Sequence, residues 1–180
     1  MKNLFLLALM APALTAFADI REMDDEQIAD VLITANRFAI EAGQLARLRA
    51  DDEKVKAFAM RMIEEHSGSN RSAHELLARL NLAARNNQIS EELQADAGKN
   101  LAALESLHGK AFDRAYIDRK VAFHQDVLDT IDNRLMPNAT RDDLKTLLYN
   151  LFSPLSDHLE HAQQIQESLN GAHRAEGVVH

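Results

Sequence analysis

The sequence predicts an all-α protein, a bundle of long amphipathic helices, on three observations. Apolar residues recur at three- and four-residue steps along most of the chain, the period of one helix face. Strong helix formers (Ala, Leu, Glu, Gln and Arg) dominate the composition. Only 6 glycines and 3 prolines occur in 180 residues, too few to turn a chain through many short strands.

Met1-Lys2-Asn3 is a short positive start, Leu4 to Met10 an apolar run, and Ala16-Phe17-Ala18 a small-x-small pattern. Residues 1–18 therefore read as an export signal cleaved after Ala18, which sends the mature chain to the periplasm. The apolar run is far shorter than the roughly 20 residues a spanning helix needs. The chain has no cysteine, which excludes disulfides, thiolate chemistry, zinc fingers and a lipoprotein anchor. A formal net charge of −8 with no basic run longer than a dipeptide excludes nucleic acid and anionic membrane surfaces as partners.

Residues 19–171 form the expected bundle domain. Asp24 or Asp25 caps a first helix with apolar positions Ile28, Val31, Leu32, Ala35, Phe38, Ala42, Leu45 and Leu48. Asp51-Asp52 ends it and caps a second through Val55, Phe58, Met62, Leu76 and Leu80. So short a link makes the two an antiparallel hairpin. Asn86-Asn87-Gln88 breaks the pattern, and Ser90 with Glu91 restarts it in a shorter third helix. At ~25 Å this helix is long enough to serve as a crossover along the bundle. Gly109 ends or bends it, and a fourth helix through Phe112, Ile117, Val121 and Leu128 stops at Met136-Pro137-Asn138. Thr140 opens a fifth helix, which Pro154 should kink and Gly171 should cap; residues 172–180 are expected to form a disordered tail.

The informative residues are polar ones that interrupt an apolar stripe, because a buried titratable group is costly unless hydrogen-bonded, paired or metal-bound. Each long helix has one: Glu41, His66, His124 and His158. Counted from the hairpin turns at 1.5 Å per residue, they lie ~15, ~22, ~21 and ~30 Å along a bundle ~40 Å tall. All four thus fall near its middle third. One carboxylate and three imidazoles there could ligate a single transition metal ion, Zn, Cu or Fe. Asp113 and Tyr116 are candidates to orient those ligands from behind. The alternative is a hydrogen-bonded structural layer without metal. His161, three residues after His158, and Met62, one turn before His66, are weaker candidates. No nucleophile with its base, phosphate loop or His-Glu-x-x-His element is present, so an enzyme is the less favoured class.

Several segments resemble one known family. They are Asn36-Arg37-Phe38-Ala39-Ile40-Glu41 with Gln44-Leu45-Ala46, Val55-Lys56-Ala57-Phe58-Ala59 with Met62-Ile63-Glu64-Glu65-His66-Ser67, Phe112-Asp113-Arg114-Ala115-Tyr116 leading to His124, and Leu155-Ser156-Asp157-His158-Leu159. In order and spacing, over about residues 25–170, they are similar to the secreted bacterial family catalogued as domain of unknown function 4142. The resemblance implies a ferritin-like four-helix bundle whose extra, shorter helix is the crossover. It implies no reaction, and its recurring polar positions, matched here by Glu41, His66, Asp113, Tyr116, His124 and His158, carry no agreed role. Glu65 stands where the family commonly has Asp, and the paired Glu-x-x-His elements of iron-oxidising ferritins are absent. Two functions follow as expectations: a periplasmic metal-binding protein, or an envelope stress or partner-binding module with a structural polar layer.

Overall fold

The structure, a computed structural model, describes residues 23–176, with side chains described as far as Gly171. The expected export signal lies outside the described residues. Helix α1 spans Asp25–Arg49, α2 Glu53–Leu80, α3 Gln88–Glu105 and α4 Gly109–Thr130. A π-helical segment, Ile131–Leu135, and a single turn α5, Met136–Asn138, prolong α4 before α6, Asp142–Glu176.

The caps are mostly those the sequence names. Asp24 accepts from the Gln27 backbone N–H while the Gln27 side chain accepts from Asp24 N, a reciprocal capping box. Asp52 caps α2 through Lys54 N and Val55 N, as expected, whereas α3 starts two residues before Ser90 and is capped by Asn87 through Ile89 N and Ser90 N. Gly109 does not end α3. It opens α4 at φ 58°, a left-handed conformation that a side chain would strain. Thr140 does not cap α6. Its N–H and hydroxyl both donate to buried Asp25, at 2.8 and 2.6 Å, fastening the start of α6 to the start of α1. Nor does Gly171 end α6, which runs on to Glu176 and continuously through Pro154.

Contacts at the two ends fix the topology. At one end Asp113 of α4 accepts from Asp51 N and Asp52 N in the α1–α2 turn, and Lys54 donates to Ser168 late in α6. At the other, Asn87 donates to the Gln27 carbonyl beside the Asp25–Thr140 clamp. The helices α1, α2, α4 and α6 therefore run up, down, down and up, with α3 rising alongside α1 until Arg49 binds the Glu105 carbonyl. This is the single-crossover arrangement of ferritin-like bundles, as the resemblance implied.

The core is in two parts. Phe58, Met62, Phe112, Tyr116 and Ile117 anchor one, near the α1–α2 turn; Ile28, Leu32, Ile131, Leu135 and Leu148 anchor the other. Each of these large side chains stabilises the fold by about 1.5–3 kcal/mol through burial. His66 lies between Met62 and Leu76, His124 between Ile117 and Ile131, and His158 between Leu155 and Ala162. The three histidines form the layer that separates the two apolar halves.

Candidate metal centre

The three histidines are buried at 4%, 0% and 3% exposure for His66, His124 and His158. Their ring centroids are 5.2–5.8 Å apart. Each ring is held from outside by one nitrogen. His66 Nδ1 lies 2.8 Å from Asn36 Oδ1, and Asn36 is itself oriented by its amide donating to Ser69 Oγ. His124 Nδ1 lies 2.7 Å from the Lys120 carbonyl one turn earlier. His158 Nε2 lies 2.6 Å from Glu65 Oε2, whose other oxygen accepts from Arg61. All three partners are acceptors, so each of these ring nitrogens carries the proton.

That assignment fixes the rest. The second nitrogens, His66 Nε2, His124 Nε2 and His158 Nδ1, hold lone pairs, and each is buried with no hydrogen-bond partner. The three rings each bring one nitrogen to within 4.8 Å of the others. Native interiors satisfy nearly all buried polar atoms, yet each of these three clustered histidines leaves one ring nitrogen without a partner. Two imidazole nitrogens on one Zn or Cu ion at 2.0–2.1 Å stand roughly 3.4 Å apart. A shift of under about 1 Å per ring would complete such a site.

Burial also sets the charge state. It pushes His66 well below the ordinary imidazole value, helped by Lys120 and the two other histidines. His124 is lowered to about 3, again chiefly by burial. His158 is lowered by burial too, although the Glu65 carboxylate pulls it back. Burial alone would raise Glu65, but hydrogen bonds from Arg61 and His158 hold it below its usual value. The rings are neutral at pH 7, the state a metal requires.

The expected ligand set is thus brought together in part. Glu41 is not in the group; it is half-buried, with no hydrogen bond among the described residues. Glu41 shares a helix line with Thr34, Phe38, Leu45 and Leu48, whereas the stripe that α1 turns toward α2 is one of small residues: Ala35, Ala39, Gly43, Ala46 and Ala50. Gly43 shows why: a Cβ there would lie 2.9 Å from Ile63 Cγ1 and 3.1 Å from the Ala59 carbonyl oxygen. Small residues let α1 and α2 approach, and Leu48 is left 73% exposed. The carboxylate that touches the cluster is Glu65, and the α1 contribution is Asn36.

Asp113 and Tyr116 do not orient the histidines. Asp113 pins the α1–α2 turn, where burial raises its pKa against two backbone N–H donors. Tyr116 is buried against Phe58 and Phe112, its hydroxyl without a partner. His161 packs on Phe58 with Nδ1 3.4 Å from Arg61, outside the group. Lys120 is a buried residue that the stripe pattern does not single out. It is 4% exposed on the line Tyr116, Lys120, His124, and this four-residue spacing was its signal.

Among known proteins, the family profile described as Domain of unknown function (DUF4142) matches residues 10–165. A DUF305 protein of Streptomyces coelicolor, assigned as secreted, aligns with a TM-score of 0.66 at 14% identity, over 80% of this chain and 92% of that one. CopM in its Cu(II)-bound form aligns at 0.62 and 15% identity, over 82% and 98% of the two chains. Its Ag-bound form gives 0.63 and 16%, over 81% and 97%. At such identities the likeness is one of fold. No curated protein matches the chain.

Proposed function

The chain belongs to the DUF4142 family, and from the geometry of its histidines we propose that it is an exported protein that binds one transition-metal ion. The ligands are His66 Nε2, His124 Nε2 and His158 Nδ1. The observation that carries the reading is that three buried histidines each bring one ring nitrogen to within 4.8 Å of the others, and that each has one buried nitrogen without a partner.

Three imidazoles without thiolate or carboxylate suit Cu and Zn, and the general order of divalent affinities places Cu(II) above Zn(II) at such a site. Asn36, the Lys120 carbonyl and Glu65 would act as the outer partners that fix each tautomer and raise ligand basicity. CopM, which shares the fold, is known in Cu(II)- and Ag-bound forms, and this supports a late transition metal over iron. The export-like N-terminus and the absence, among the described residues, of a helix long and apolar enough to cross a membrane support a periplasmic role in holding or passing on the ion. A purely structural layer is less favoured, since such a layer would pair its inner nitrogens. The test is metal titration of the chelator-treated mature protein. One Cu(II) or Zn(II) per chain, lost in His66→Leu and His124→Leu, supports the reading, and no binding by the parent protein overturns it.

A further inference from the structure

A second feature borders the histidine layer through Lys120, whose charge acts on His66 and His124. Between α1, α3 and α4 the bundle leaves a pocket of about 170 Å³, lined by apolar side chains including Phe38, Leu101 and Phe123. Of its four charged residues, Asp96, Arg119 and Asp126 are exposed, at the rim, and Lys120 is buried. Helix α3 covers it loosely, with only Ser90 and Leu104 of its residues buried.

The inner wall holds a cation that the fold does not explain. Lys120 is 4% exposed, and among the described residues its ammonium has no hydrogen bond or ion pair. Its neighbours are the rings of Phe123 and Tyr116, at 5.1 and 5.5 Å. Both line the pocket, and the buried Tyr116 hydroxyl also lacks a partner. A buried ammonium without a counter-ion is costly, so a ligand that supplies one gains at that point.

We propose that this pocket binds a medium-chain fatty acid, its tail among the apolar side chains of α1, α3 and α4 and its carboxylate on Lys120 Nζ. The size fits, since an engineered cavity of about 150 Å³ holds benzene, and a pocket slightly larger and open at one side takes about ten non-hydrogen atoms. The single inward cation selects a monoanion: a phosphate dianion would bring a second charge with no partner. The proposal makes no use of the histidine lone pairs.

Calorimetric titration of the mature protein with octanoate and with 1-octanol tests it. Octanoate should bind once per chain and more tightly than octanol. Lys120→Met, which keeps the volume and removes the charge, should weaken octanoate at least tenfold while leaving octanol unchanged. Leu101→Trp, which fills the pocket from α3, should remove binding of both while leaving metal binding intact. Equal affinity for acid and alcohol, an unchanged octanoate affinity in Lys120→Met, or no octanoate binding at millimolar concentration would overturn the proposal.

Discussion

Acid should unfold the metal-free protein early, and the histidine layer sets where. His66 and His124 have folded-state pKa values below the ordinary 6.5, His124 at about 3. In the unfolded chain both titrate normally, so below pH 6.5 the unfolded state binds protons that the folded state refuses. Stability therefore holds above pH 6.5 and falls as pH drops toward the folded values. Between pH 7 and pH 5 the difference for His124 is about 1.5 pH units, or about 2 kcal/mol, and His66, lowered in the same direction by burial, increases the loss. His158, shifted the same way, adds to it. Glu65 acts only below its unfolded value of 4.5, outside this window. Urea unfolding followed by circular dichroism at half-unit steps from pH 7.5 to 5 measures the loss. His124→Leu should remove about 2 kcal/mol of it. A curve flat to within 1 kcal/mol over that range, or a loss undiminished in His124→Leu, would refute the reasoning.

Lys120 predicts a second pH dependence. Burial lowers its pKa to about 7, against 10.5 unfolded, so stability should keep rising from pH 7 to pH 10; Lys120→Met should be more stable than the parent at pH 7, with the advantage shrinking toward pH 10 in the same urea series. Gly43→Ala places a methyl 2.9 Å from Ile63 Cγ1 and should cost about 1–3 kcal/mol, read as a lowered melting temperature. Glu65→Gln keeps an acceptor for His158 Nε2 but removes the charge; metal affinity should fall roughly 10- to 100-fold, measured by competition with a chromophoric chelator, with helicity unchanged.

What the sequence made legible was local. Asp24 and Asp52 cap helices because a short side-chain oxygen beside free N–H groups does so in any context, whereas the length of α3 only permits a crossover and the family resemblance is what implies it. Three of the four candidate ligands were legible because His66, His124 and His158 interrupt stripes whose other members are buried apolar residues. Glu41 failed for a physical reason. Stripe reading favours bulky side chains, but the α1–α2 contact is so close that it selects Ala and Gly, and the Phe38–Leu48 line turns away. Glu65 and Asn36 reach the layer from the helix flanks, and only the tertiary placement of α1 against α2 and of α2 against α6 shows it. Lys120 was overlooked because lysine reads as surface, although it stands four residues before a buried histidine.

The central claim is that three histidine nitrogens form one metal site. The most direct measurement is X-ray absorption at the copper edge on the mature protein loaded with one equivalent of Cu(II), beside His66→Leu and His158→Leu. The account predicts imidazole scattering from about three rings at roughly 2.0 Å, with one ring fewer or no bound copper in each variant. Copper bound with the same imidazole shell in both variants, or no copper retained by the parent protein, would contradict it.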